Sequence, residues 1–242
     1  MDYTTDDFLG GRIKLRQPVG GYRATSDAVL LAAAVGAKRG DRVLDAGAGT
    51  GAVGLCVAAR CPDVAVVGVE LQSVMVERAR ENIALNGLES RVTVVQADIR
   101  AKKIDGAEKG AFDWVATNPP FILEDQISPD ETRDTAHRES GCPLAEWVDA
   151  CLRYVAARGR FAMINRADRL PEILSLLYGR LGGIRVIPIW TKAGEPAKRV
   201  VVTGRKGVKS SAVLETGVVL NDADGNKTRR ADGVMRFGEP LG

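Results

Sequence analysis

From residue 41 onward, short apolar runs alternate with longer stretches whose apolar residues recur at helical spacing. Residues 42–45, 64–70, 92–96, 112–117, 160–164 and 200–203 are short, rich in Val and bounded by Gly, Pro or charge, a pattern that predicts strands. Between them, residues 50–60, 72–86, 144–157 and 170–181 predict helices. In the second helix Val74, Ala79, Ile83 and Leu85 form an apolar stripe, and Asn86-Gly87 supplies a C-terminal stop. Strands that alternate with helices in this way predict an α/β fold, a mostly parallel sheet with helices on both faces.

Two stretches break the rhythm. Residues 122–141 are polar, hold Asp125, Asp130, Glu131, Arg133, Asp134 and Arg138, and have no period, as expected of a functional loop. Residues 221–226 look like half of a calcium loop. With Gly225 as the loop glycine, however, Leu220 and Ala231 would stand where oxygen ligands are needed. A turn carried by Asp224-Gly225 is the better reading.

Composition narrows the class. The chain has 242 residues, 45% hydrophobic and 27% charged, enough for one large soluble domain with short appendages. The longest apolar run, residues 28–37, is too short to cross a bilayer, and the acidic start carries no secretory pattern. Cys56, Cys61, Cys142 and Cys151 form no CxxC pair and share no ligand spacing with His137, the only histidine. They read as reduced thiols of a cytoplasmic protein, with no metal and no membrane partner expected. Net charge is only +3, but Arg12, Lys14, Arg16 and Arg23 crowd the start. Lys198, Arg199, Arg205, Lys206, Lys209, Lys227, Arg229 and Arg230 crowd the end. Two basic flanks of this kind can form a nucleic-acid patch or plain solvated surface.

The chemistry begins at Asp45-Ala46-Gly47-Ala48-Gly49-Thr50-Gly51, which follows a predicted strand and opens a predicted helix. Gly47, Gly49 and Gly51 let the backbone turn tightly and approach a ligand. Gly49, Gly51 and Gly54 also satisfy GxGxxG, so a dinucleotide site must be weighed. Asp45 separates the two readings. A pyrophosphate wants a helix N-terminus free of acid, whereas the ammonium of S-adenosylmethionine suits a carboxylate there. Glu70 closes the next strand and can accept both hydroxyls of a ribose, with Leu71 beside it as a further cofactor contact. Asp98 follows the third strand, where it can accept from an adenine amine while Ile99 packs on the ring.

Asn118-Pro119-Pro120-Phe121 closes the fourth strand. Two prolines cannot continue a central strand, so the chain leaves the sheet at its ligand-binding edge. The Asn118 side chain, which is also expected to touch the cofactor, and the Pro119 backbone carbonyl, held rigid by Pro120, are two acceptors. Together they can grip an NH2 group and turn its lone pair toward a methyl donor. Phe121 offers a flat face for stacking the target.

These residues together resemble the amino-methyltransferases of the Rossmann-like class I superfamily. More narrowly, the chain resembles the bacterial tRNA1(Val) adenine-N6 methyltransferase family. Ser26-Asp27-Ala28-Val29-Leu30-Leu31 is similar to that family's Thr-Asp-Gly-Val-Leu-Leu segment, with Ser26 and Ala28 in place of Thr and Gly. Residues 192–200 are similar to the hairpin before its last strand, and Phe121 stands where Tyr is commoner. The resemblance implies a seven-stranded sheet with an antiparallel last strand, and contacts from Arg23, Ser26 and Asp27 near the cofactor's methionine end. It also implies tRNA as the partner, methylated at an adenine amine in the anticodon loop. The division expected is an N-terminal segment, 1–40, packing on the cofactor site, a catalytic domain, 41–205, and a C-terminal hairpin or tail, 206–242.

Other readings share parts of this pattern. A glutamine-amide methyltransferase acting on protein has the same chemistry, but the segment before residue 41 has no room for its helical substrate domain. A DNA adenine methyltransferase needs a large target-recognition region that no block here supplies. An O-methyltransferase would more often use a histidine or metal site. A non-catalytic RNA-binding protein would have no need for two aligned acceptors at Asn118.

Overall fold

The computed structural model describes residues 3–20, 23–119 and 142–242. The chain opens with β1 (Tyr3–Phe8), β2 (Ile13–Pro18) and α1 (Ser26–Ala34). It continues through β3 (Arg42–Ala46), α2 (Ala52–Arg60), β4 (Ala65–Glu70), α3 (Ser73–Leu85), β5 (Val92–Gln96) and β6 (Phe112–Thr117). Beyond these lie α4 (Leu144–Tyr154), β7 (Val155–Arg166), α5 (Leu170–Leu177), β8 (Leu181–Lys192) and β9 (Arg199–Lys206). The short strands β10 (Val213–Leu214) and β11 (Val218–Asn221) and the helix α6 (Arg229–Phe237) finish it.

The main sheet has the order β10-β8-β9-β7-β6-β3-β4-β5, with β11 also on β8. Strands β3 to β7 pair in parallel, and β9 runs antiparallel between β7 and β8. The seven strands β3 to β9 thus make the sheet that the resemblance implies, and the last of them is the antiparallel one. Two short strands, β10 and β11, lengthen the edge at β8, so the sheet has nine strands rather than seven. Residues 222–227 form the turn read at Asp224-Gly225, closed by a bridge between Asn221 and Lys227. Helix α6 follows it.

Each face of the sheet buries its own core. One joins α1, α2, α3 and α6 through residues such as Leu30, Val57, Ala79 and Val234. The other joins α4 and α5 through Val148, Cys151, Ile173 and Leu177. Chain order reverses between β3 and β6, whose carboxyl ends meet where Ala46 pairs with Thr117. This is the crevice where open α/β sheets take ligands.

Some elements differ from the sequence expectation. The helix expected over 144–157 stops at Tyr154, and the chain passes straight into β7 with a bulge before Arg160. The helix over 170–181 stops at Leu177, because Gly179 turns the chain with a φ of +73° and β8 begins at Leu181. Strand β8 is not among the predicted strands, and its Gly182, Gly183 and Pro188 are residue types disfavoured inside a strand. The N-terminal hairpin escaped too, although β2 alternates Ile13, Leu15 and Gln17 inward with Lys14 and Arg16 outward.

Two asparagines of α3 hold that hairpin. The buried Asn82 accepts from Arg16 N–H at 2.8 Å and donates to Arg16 O at 3.2 Å and Thr50 O at 3.0 Å. Asn86 repeats the grip on Lys14, with contacts of 2.9 and 2.7 Å. Asn82 therefore ties the hairpin to the glycine loop. Asn82→Ala strands buried backbone groups and is expected to cost about 2–3 kcal/mol in urea unfolding, with Asn86→Ala costing less because its contacts are exposed. An equal cost for both variants would deny Asn82 this bridging role.

Candidate active site

The loop between β3 and α2 is built on glycines in left-handed conformation: Gly47 has φ +75°, Gly49 +53° and Gly51 +85°. Gly47 and Ala48 donate to Val69 O at 2.9 and 3.1 Å, which lays the loop across the end of β4. Gly51 then caps α2 with no side chain in the way.

Asp45 lies under this loop, 1% exposed. Its Oδ2 accepts from Gly54 N–H at 3.0 Å, in the first turn of α2, so its carboxylate occupies the positive end of the helix. That placement disfavours a pyrophosphate there and explains how GxGxxG spacing occurs without a dinucleotide site. Burial nevertheless pushes its pKa up to about 7, against the lowering effect of the Gly54 bond. Its Oδ1 is buried with no partner.

Glu70, at the end of β4, accepts from Gly49 N–H at 2.8 Å through Oε2 and from Gln72 N–H at 2.9 Å through Oε1. Each oxygen keeps a second lone pair, so the pair can still accept two hydroxyls. Leu71 follows it, 42% exposed on the same edge. Asp98 is held by Arg100, whose Nε and Nη2 donate to its oxygens at 2.7–3.0 Å, and this holds its carboxyl below the usual range. Ile99 is 4% exposed and packs in the core on the α4 side. Leu71 is thus the open apolar side chain there.

Asn118 follows β6 with its Oδ1 buried and unpartnered. Pro119 beside it is buried. Pro120, Phe121 and the loop 122–141, with His137, lie outside the described residues. Helix α1 is capped by Thr25, whose hydroxyl accepts from Asp27 N–H at 3.3 Å. Asp27 is buried and pairs with Arg199 Nε at 2.7 Å, at the carboxyl edge of the sheet where β9 begins. Burial pushes its pKa up, against the lowering effect of Arg199. Arg23 bonds Pro18 O, Thr4 and Asp6, and with Ser26 it lines a cavity of about 500 Å3 between the hairpin and α6. The structure therefore gathers Asp45, Gly47, Gly49, Gly51, Glu70 and Asn118 at one crevice. It turns Arg23 and Ser26 toward another cavity.

Five buried side-chain polar atoms among the described residues have no hydrogen-bond partner: Oδ1 of Asp27, Asp45 and Asn118, Thr50 Oγ1 and Asn165 Nδ2. All five belong to the carboxyl edge, at strand ends, the glycine loop or the start of α1. Each such orphan costs about 1–3 kcal/mol, so their concentration marks where a polar ligand is received. Asn165, next to last in β7 and 1% exposed, was not foreseen from sequence. Nor was Trp147 of α4, whose Nε1–H donates to Thr117 Oγ1 at 2.9 Å beside Asn118. No group of three potential metal ligands occurs among the described residues, and none of their helices is long and apolar enough to cross a membrane.

The residues of the two basic flanks do not all share one surface. At the start, Lys14 pairs with Asp7, Arg23 with Asp6 and Arg16 with Glu81. At the end, β9 is antiparallel, so Lys198 and Arg199 fall at the carboxyl edge while Arg205 and Lys206 fall at the opposite one. Arg205 and Lys206 there bond backbone carbonyls of residues 152–158. Lys192 and Lys227 lie at the carboxyl edge, at the end of β8, both beside Asn221.

A glycine loop over a buried acid, a ribose-type acid on the next strand and an acceptor closing β6 define a class I S-adenosylmethionine-dependent methyltransferase. Residues 24–137 match the family model described as Methyltransferase small domain. The tRNA1(Val) (adenine(37)-N6)-methyltransferase of Porphyromonas gingivalis is 30% identical over 195 residues, 76% of each chain. That of Aeromonas hydrophila is 30% identical over 207 residues, 85% of each chain. The chain belongs to this methyltransferase family. Among solved structures it is similar to protein Atu636 of Agrobacterium tumefaciens, described as a predicted O-methyltransferase. The identity is 27% and the TM-score 0.73, over 86% of this chain and 94% of that one.

The residues present fit the cofactor. Asp45 Oδ1 is an acceptor without a donor, Glu70 has two free lone pairs beside the glycine loop, and Leu71 is exposed next to them.

Proposed function

We propose that this enzyme methylates the exocyclic N6 amine of an adenine in the anticodon loop of a tRNA. The observation that carries the reading is the buried, unpartnered Oδ1 of Asn118 at the mouth of the crevice. S-adenosylmethionine supplies a methyl group made electrophilic by its sulfonium. An amine conjugated to a ring is a poor nucleophile, because its lone pair is delocalised. Asn118 Oδ1 accepts one of its hydrogens and the Pro119 carbonyl the other, which favours a tetrahedral nitrogen with its lone pair freed. A hydroxyl has one hydrogen and cannot use both acceptors, so the pair favours nitrogen over oxygen. Phe121 is proposed to stack the base. Asp45, Glu70 and Leu71 hold the ammonium, the ribose and the adenine of the cofactor, with Asp98 at the adenine end. Asp27, on the same carboxyl edge, is proposed to close the methionine end, whereas Arg23 and Ser26 line the cavity beside the hairpin.

RNA contact is assigned to Lys192, Lys198 and Lys227, which stand on the same edge as Asn118. A loop adenine is already unpaired and cheap to extrude into the crevice. The test offers total tRNA, duplex DNA, free adenosine and a glutamine-bearing peptide to the enzyme with labelled cofactor, followed by mass spectrometry of nucleosides. Label is expected in tRNA as N6-methyladenosine, falling steeply with added salt as phosphate neutralisation releases counterions. Lys198→Glu should weaken the tRNA reaction and Lys209→Glu, on the opposite edge, should not. Label in the peptide alone would move the substrate to protein while the amine chemistry stands, and 2′-O-methyl product would refute the two-acceptor mechanism.

A further inference from the structure

The indole of Trp147 touches both halves of the site. Its Nε1–H donates to Thr117 Oγ1 at 2.9 Å, and the Thr117 hydroxyl donates in turn to Ala46 O at 2.9 Å. Thr117 is fully buried and immediately precedes Asn118. The other edge of the ring lies on the glycine loop: a Cβ added at Gly47 would come within 3.0 Å of Trp147 Cζ2 and 3.1 Å of Cη2. One side chain, partly exposed and carried by α4, thus fixes the rotor at the end of β6 and bounds the loop that ends β3.

We propose that Trp147 is a positioning residue that couples the cofactor loop to Asn118, an inference that rests on the role given to Asn118 above. A displacement of Gly47 moves the indole. Through the Nε1–H bond, the indole moves the Thr117 hydroxyl and with it the start of the Asn118 segment. The link runs through one hydrogen bond in one direction and one van der Waals contact in the other, so the two can be cut separately. Trp147→Phe keeps a ring against Gly47 and removes the N–H. Thr117→Val keeps the shape of Thr117 and removes the hydroxyl, and with it the bond to Ala46 O as well as the bond from Trp147. Trp147→Phe is therefore the variant that cuts the indole link alone.

Both variants are expected to bind S-adenosylhomocysteine within about threefold of wild type in calorimetry, with KM for the acceptor little changed. Trp147→Phe should lower kcat about tenfold, the loss of one hydrogen bond, and Thr117→Val, which loses two, at least as much. Trp147→Ala also removes the wall over Gly47 and is expected to weaken S-adenosylhomocysteine binding about tenfold as well. The ligand supplies a second readout through tryptophan emission. Of the three tryptophans, Trp114 is buried in the core on the α1 side and Trp190 lies on β8, so the emission change on adding S-adenosylhomocysteine should come from Trp147 and vanish in Trp147→Phe. Wild-type kcat in both Trp147→Phe and Thr117→Val, or an emission response that persists unchanged in Trp147→Phe, would overturn the coupling. The comparison is made on whichever acceptor takes label, so a wrong substrate assignment leaves it valid. Unchanged activity in Asn118→Ala would instead remove the role on which the inference rests.

Discussion

Asn118→Ala is expected to lower methyl transfer by about a hundredfold or more, by analogy with losing one preorganised hydrogen-bonding group, while S-adenosylhomocysteine binds nearly as in wild type. The split follows from where the residue stands. The cofactor's predicted contacts, Asp45 and Glu70, belong to β3 and β4, whereas Asn118 follows β6 and keeps a buried oxygen with no donor in the free protein. That oxygen costs stability until a target amine arrives. The same substitution should therefore stabilise the protein slightly against urea, since it removes an unsatisfied group, even as turnover collapses. Asn118→Asp is a sharper control. It keeps an acceptor but adds charge beside a reacting centre that must carry a methylated, transiently cationic nitrogen. Stacked loss of both activity and cofactor affinity in Asn118→Ala would assign the residue to cofactor binding. Full activity would leave the amine without its acceptor.

The parts of the site that sequence made legible are those that local backbone chemistry forces. A glycine loop after an apolar strand has one place to go, Glu70 closes a strand, and two prolines end another; each signal is contained in a few consecutive residues. What escaped depends on partners far apart in the chain. Trp147 looks like any apolar residue of an amphipathic helix until the fold lays it on Gly47. Asn82 looks like a polar residue on a helix surface until β2 arrives beside it. The hairpin was hidden by its own charges, because Lys14 and Arg16 read as a basic cluster when they are the outward positions of a strand paired with Asp7 and Glu81. Lys198 and Arg199 were likewise parted from Arg205 and Lys206 by a single topological fact, the reversed direction of β9. Charge counted along a chain predicts a surface only when strand direction is known. Even the strand count and the antiparallel last strand came from the resemblance, since periodicity alone fixes that strands alternate with helices and not which strands are neighbours.

Asp45→Asn is expected to weaken S-adenosylhomocysteine binding by about thirtyfold to more than a thousandfold, the range for truncating one partner of a buried charge pair. The amide still accepts from Gly54 N–H, so the loop and α2 should hold their form and the loss should report the charge. The pH dependence identifies the mechanism. In the empty protein, burial raises the Asp45 pKa from 3.8 to about 7, so below that pH the site is mostly neutral. An incoming ammonium favours the carboxylate, so binding near neutrality releases a proton. Affinity should then rise with pH through about 6 to 7 and level off above, where the carboxylate is already ionised. Stability of the empty protein runs the other way. A carboxyl whose folded pKa lies above its unfolded value contributes stability that is fully present below about 4 and lost as pH rises through about 7. From this group alone, the Tm of the free enzyme should fall across that window while the Tm gain on adding S-adenosylhomocysteine grows. Calorimetry in buffers of different ionisation enthalpy counts the proton directly, and Asp45→Asn should abolish both the count and the opposing slopes. Equal proton release in wild type and Asp45→Asn would place the titrating group elsewhere and free Asp45 from any contact with the ammonium.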